Sequence, residues 1–204
     1  MQKSEMTCDS ILQGYIKLLD STHFDKVTVR ALCGEVGIVR STFYTYFSDI
    51  YEVIQTIEDN LISAFMRVDQ ADCIEPEFDQ RLRTEWGFPI EPSPGFYRWF
   101  DCCLENWDAL RAMIGPHGDP YFVQKFRRTL TDHVTHLMHA DRMPDDELRR
   151  GYTESMVEVH FILVRNWMLH ENTSLNAARI AVILNSMRVG GNTLGHYRVV
   201  SPED

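Results

Sequence analysis

The chain has 204 residues, 44% hydrophobic and 25% charged, enough for one large or two small domains with a buried core and too ordinary a composition for a disordered chain. Five cysteines are an odd number with no Cys-x-x-Cys pair, and the longest apolar runs, Phe161–Val164 and Ile180–Leu184, are far short of a bilayer span. A disulfide scaffold and a membrane anchor are therefore excluded, and with no signal-like stretch in residues 1–10 the expected compartment is a reducing cytoplasm.

Twenty Lys and Arg against thirty Asp and Glu give a net charge of −10, which for the whole chain argues against a nucleic-acid partner. The charge is unevenly spread. Residues 1–50 hold five basic groups (Lys3, Lys17, Lys26, Arg30, Arg40) and six acidic ones, so nearly all of the excess lies downstream, and a near-neutral head can still present a basic face.

In chain order, Ile11, Leu12, Tyr15, Ile16, Leu18 and Leu19 recur at helical spacing and predict an amphipathic helix over residues 9–20. Residues 27–50, VTVRALCGEVGIVRSTFYTYFSDI, follow. Thr28 is a good N-cap for a short helix Val29–Glu35, Gly37 suits the positive φ of a tight turn, and Arg40–Phe47 is long enough for a second short helix. Leu32, Val36, Ile38, Phe43 and Phe47 form a private core, with small Cys33 where the two helices would touch. That leaves Arg40, Ser41, Thr42, Tyr44, Thr45 and Tyr46, side chains able to bond base edges and phosphates. This is the grammar of a helix-turn-helix.

Val53, Ile54, Ile57, Leu61, Ile62 and Phe65 predict a long helix over 49–68, and four of the eight prolines mark 69–95 as a loop-rich connection. Helical pattern returns over Phe96–Met113, stops at Gly115-Pro116-His117-Gly118 and resumes at Pro120, with Phe122, Phe126, Leu130, Val134 and Leu137 as its stripe. Met156–Leu169 and Ala177–Met187 are apolar around most of their circumference. Such helices need burial on two sides, and a two-fold four-helix interface with a second copy supplies it, with Val164, Trp167, Ala181 and Leu184 expected there. No alternating strand is found. The fold class is all-α: a three-helix head over residues 1–49 on a larger antiparallel helical body, 50–204, for ligand binding and dimerisation.

Other constellations carry less. Asp132, His133, His136 and His139 share a predicted helix, but they drift around it without cysteine or glutamate partners, so no metal is expected. Adjacent Cys102 and Cys103 read as packed thiols, and His160 as a hydrogen-bonded core histidine. No phosphate-binding glycine loop, nucleophile elbow or diagnostic metal pair points to an enzyme or a cofactor. Met66, Trp99, Trp107, Met113, Phe126 and Trp167 are candidate apolar walls for a small-molecule effector.

Through Thr28-Val-Arg-Ala-Leu, Val36-Gly-Ile and above all Ser41-Thr-Phe-Tyr-Thr-Tyr-Phe-Ser-Asp, the first quarter of the chain resembles the tetracycline-repressor (TetR/AcrR) family of bacterial regulators. Gly115-Pro-His-Gly-Asp-Pro-Tyr-Phe with Arg165-Asn-Trp is similar to a subgroup that includes regulators of dihydroxyacetone metabolism. The resemblance implies a ligand-responsive homodimer binding a palindromic double-stranded operator, a repressor released by a small molecule. It implies base contacts from Arg30, Arg40, Thr42 and Thr45, and phosphate contacts from Thr28, Tyr44 and Tyr46. Val39 replaces the family's usual N-cap, a loss of ~1 kcal/mol, and Ile50 replaces its phosphate-binding lysine, leaving Asp49 without a basic neighbour. Those departures imply weak or salt-sensitive binding. Two other readings stay open: a degenerate helix-turn-helix acting through protein contacts, and a helical small-molecule binder that does not touch DNA.

Overall fold

The computed structural model describes residues 3–71, 92, 94–140, 143–170 and 176–200. Nine α-helices and one 3-10 turn account for nearly all of them, with no strand among the described residues. The helices are α1 (Lys3–Leu18), α2 (Val29–Val36), α3 (Arg40–Tyr46), α4 (Ile50–Ala71), α5 (Pro94–Glu105), α6 (Trp107–Ile114), α7 (Pro120–Ala140), α8 (Glu147–Leu169) and α9 (Ala177–Val200), with the 3-10 turn at Phe24–Lys26. Most of the expected connection at 69–95, namely 72–91 and 93, lies outside the described residues. No described helix is long and apolar enough to cross a membrane.

Contacts divide the chain into two compact units, Met1–Ala64 with Asn106–Lys125 and Phe65–Glu105 with Phe126–Asp204. The first unit thus recruits a segment far downstream of the motif. Three links hold that segment there: Arg111 donates to Asp20 at 2.7 Å, Phe24 N–H to the His117 carbonyl at 2.8 Å, and His117 Nδ1 lies 3.0 Å from the Leu19 carbonyl. In the same unit Glu58 is buried and pairs with Lys125. The Tyr15 hydroxyl, which reaches the Phe24 carbonyl, is pushed well up in pKa by burial and then by the charges of Asp119 and Glu58.

α1 begins six residues earlier than its apolar stripe, because 3–8 contain no glycine or proline to stop a helix and need no burial to extend one. The expected single helix 96–113 is broken. Asn106 leaves helical geometry (φ −111°, ψ 24°), and α6 starts beyond it, at the boundary between the units. Apolar residues at helical spacing continue on both sides of Asn106, which hid the break.

α1 meets α2 closely at Gly14. A Cβ at Gly14 would lie 2.5 Å from Val36 Cγ2 and 3.2 Å from Leu32 Cδ1, and a β-branched valine has little rotamer freedom to withdraw. Gly14→Ala is therefore expected to destabilise the first unit by ~1–3 kcal/mol through overpacking, read as a lower urea midpoint. A variant as stable as the parent would show that the helices can part at no cost.

In the second unit α9 packs on both α8 and α5. Asp146 caps α8, accepting from Arg149 N–H at 2.9 Å. The buried Arg149 guanidinium bonds the Met143 carbonyl (3.1 Å) and His139 Nδ1 (2.9 Å), placing a cation at the negative end of α7.

The expected outer face of α8 and α9 is corrected here. Val164, Trp167, Ala181 and Leu184 are all buried within the single chain, so they have little or no surface left for a second copy. The large apolar residues left exposed are Leu148 near the start of α8, Ile162 (51%) further along it, and Val182 (50%), Ile183 and Met187 on α9. A helix apolar all round does not state which stripe faces inward. Packing against α5 and its neighbours decides that.

Candidate nucleic-acid interface

Thr28 caps α2, its Oγ1 accepting from Ala31 N–H at 3.2 Å. Gly37 ends the helix in the left-handed region (φ 75°), with the Gly37 and Ile38 N–H groups both 3.0 Å from the Cys33 carbonyl. That is a glycine stop of the kind a side chain at Gly37 would strain. α3 then starts at Arg40 with Val39 at its N-cap and no side-chain cap bond. Leu32, Phe43 and Phe47 are buried, the two phenyl rings 6.0 Å apart, while Val36 and Ile38 are half-buried at the rim.

With Phe43 and Phe47 turned inward, Arg40, Ser41, Tyr44 and Thr45 are exposed, and Thr42 and Tyr46 are half-exposed beside them. Thr28 and Arg30 are exposed on α2. Thr45 Oγ1 donates to the Ser41 carbonyl at 3.0 Å, so toward a partner it offers lone pairs and not a proton. Thr28 is the reverse. Its oxygen already accepts, which leaves its O–H proton to give to an anion such as a phosphate.

Charge pairing sharpens the picture in a way the sequence could not. Lys17 is bound to Glu35 at 2.5 Å, and Lys26 to Asp25 at 3.3 Å, with Asp25 also holding His23 at 2.7 Å. These contacts hold the Asp25 carboxyl below its ordinary range, His23 being the main cause. Asp20 is engaged by Arg111. Arg30 and Arg40, in contrast, make no ion pair among the described residues. The head's own acids thus neutralise Lys17 and Lys26 and leave both helix-turn-helix arginines available.

Asp49, with no basic partner among the described residues, serves the start of α4. Its carboxylate accepts from Glu52 N–H at 2.9 Å while Glu52 accepts from Ser48 N–H at 2.6 Å, a reciprocal cap on α4 that holds the Glu52 carboxyl below its usual range. Ile50 is half-buried at the first position of that helix.

The six candidate effector-lining residues do not share one unit. Trp107 and Met113 lie in the first; Trp99, Phe126 and Trp167 are buried in the second, and Met66 is exposed. Residue type pointed to them, but which helix faces converge is a tertiary property. What the sequence did not pick out is an aromatic and imidazole cluster in the second unit. Trp99 stacks on His133 at 5.8 Å and meets His160 edge-on at 6.4 Å, with Phe65 at 4.9 Å and Phe126 at 6.0 Å. His136 and His139 are exposed, and among the described residues no group of three His, Cys, Asp or Glu is placed to hold a metal. Burial pushes the Cys103 thiol up, in keeping with a packed side chain.

No family profile and no curated protein matches the chain. Solved structures do. A TetR transcriptional regulator from Streptococcus agalactiae 2603V is 19% identical, with a TM-score of 0.57 over 91% of this chain and 94% of that one. A TetR-family transcriptional regulator from Streptomyces coelicolor is 16% identical, with a TM-score of 0.55 over 100% of this chain and 92% of that one. The fold is the all-α fold of TetR-type transcriptional regulators.

Proposed function

We propose that the chain is a ligand-responsive transcriptional regulator whose residues 1–49 bind double-stranded operator DNA, α3 entering the major groove, in the cytoplasm. The observation that carries this reading is the pair of arginines on the helix-turn-helix, Arg30 and Arg40, exposed and without ion pairs beside the exposed Ser41, Tyr44 and Thr45. A motif that had abandoned DNA would have no reason to leave these two cations unpaired while Lys17 and Lys26 are neutralised. Residues 50–204 supply effector binding and the second copy. Two copies, joined through Ile162 of α8 and Val182, Ile183 and Met187 of α9, present two heads to the half-sites of an inverted repeat, and a small molecule bound in the body releases the repressor.

Selection from random duplexes tests this, with an inverted repeat as the expected product. On the selected operator, Arg40→Ala and Thr42→Ala should each weaken binding by ~1–3 kcal/mol with the helical content unchanged. Ile50→Lys adds a cation at the start of α4 and should strengthen operator and scrambled duplex alike, steepening the salt slope by about one unit. Unchanged affinity in Ile50→Lys would mean that this position does not approach a phosphate, and recovery of no sequence preference would overturn the regulator reading.

A further inference from the structure

In the second unit the buried indole N–H of Trp99 has incomplete hydrogen bonding. Trp99 is 1% exposed, and its indole N–H donates to no acceptor among the described residues. A buried donor left without an acceptor loses its hydration with no return, which makes its position a natural place for a guest to supply the missing oxygen. The surroundings define that guest. Trp99 sits among flat rings: Phe65 from α4, Phe100 from α5, Phe126 and His133 from α7 and His160 from α8. His160 Nδ1 lies 2.9 Å from the Met156 carbonyl, which can only accept, so that nitrogen carries the proton and Nε2 is the lone-pair side of a neutral ring. Burial, with a smaller effect of His133, lowers the His160 pKa to about 3, so that ring is neutral at neutral pH.

We infer that this Trp99–His133–His160 cluster is the effector site of the regulator and that it takes an uncharged, flat aromatic or conjugated molecule bearing a carbonyl or similar acceptor oxygen, which receives the Trp99 N–H. The inference rests on the ligand-responsive reading above and narrows it. An anionic guest gains no counter-charge from the indole or from His160 and loses its hydration, so it is disfavoured. A purely apolar guest of the same shape fits the rings but leaves the indole as it was.

Three matched probes separate these cases: 2-acetylnaphthalene, 2-ethylnaphthalene and 2-naphthoate, titrated against the full chain by equilibrium dialysis and followed by thermal shift. The acetyl compound should bind roughly tenfold more tightly than the ethyl one, with naphthoate weakest. Trp99→Phe keeps an aromatic ring and removes the donor, so the acetyl-over-ethyl preference should fall to about one while ethylnaphthalene still binds. Tightest binding of naphthoate, a preference that survives Trp99→Phe, or no binding of any probe overturns the proposal. Operator binding, measured on the same preparations without probe, reports separately on the regulator reading. Loss of DNA binding with the probe order intact would remove the regulator and leave the site.

Discussion

Replacing Phe43 by alanine is expected to cost ~3–5 kcal/mol, the largest single effect in the first unit. Its ring is fully buried, tilted against Phe47 at 6.0 Å and met edge-on by Tyr44 at 5.3 Å. α3 spans only seven residues and lacks a side-chain N-cap bond. A helix so short is not stable by itself; it is held by the rings it buries, so the cavity left by Phe43→Ala should release it. Urea denaturation would show the loss of stability, and DNA binding should vanish with it. Arg40→Ala, one turn away on the exposed side, should leave the urea midpoint within about 0.5 kcal/mol of the parent. If the two variants lost stability alike, the inward and outward faces of α3 would be wrongly assigned.

The second large effect concerns the assembly. Light scattering of the parent should give twice the mass of one chain. Ile162→Glu and Ile183→Glu place a carboxylate on the exposed stripe of α8 and α9, in a chain already at −10. Each should yield a folded protein of half that mass. Leu184→Glu is different in kind, because Leu184 is wholly buried within its own chain. An unpaired carboxylate there should unfold the second unit, by several kcal/mol, with circular dichroism rather than mass as the readout. A parent that is monomeric at micromolar concentration would remove the dimer, and Leu184→Glu behaving as a folded monomer would restore Leu184 to the interface.

Much of this protein is written locally. The helical class follows from apolar spacing. The helix-turn-helix follows from a threonine that caps, a glycine that takes φ 75° and two phenylalanines one turn apart, and these depend on residues within a few positions of each other. Pro120 opens α7 where a proline's missing N–H does no harm.

Other features need the third dimension. Gly14 gives no signal until α2 crosses it. The recruitment of 106–125 into the first unit depends on Asp20, Leu19 and Phe24, some ninety residues earlier. Which cations are available was also undetermined, since five basic and six acidic groups in the first fifty residues can pair in many ways. Only the approach of α1 to α2 joins Lys17 to Glu35, while Arg30 and Arg40 remain without ion pairs. For the same reason the sequence determined that α8 and α9 are apolar all round but not that Ile162 and Val182 face outward while Val164 and Leu184 face in. Composition sets how much surface a helix must bury; the direction of burial is set by the neighbours that its own chain brings against it.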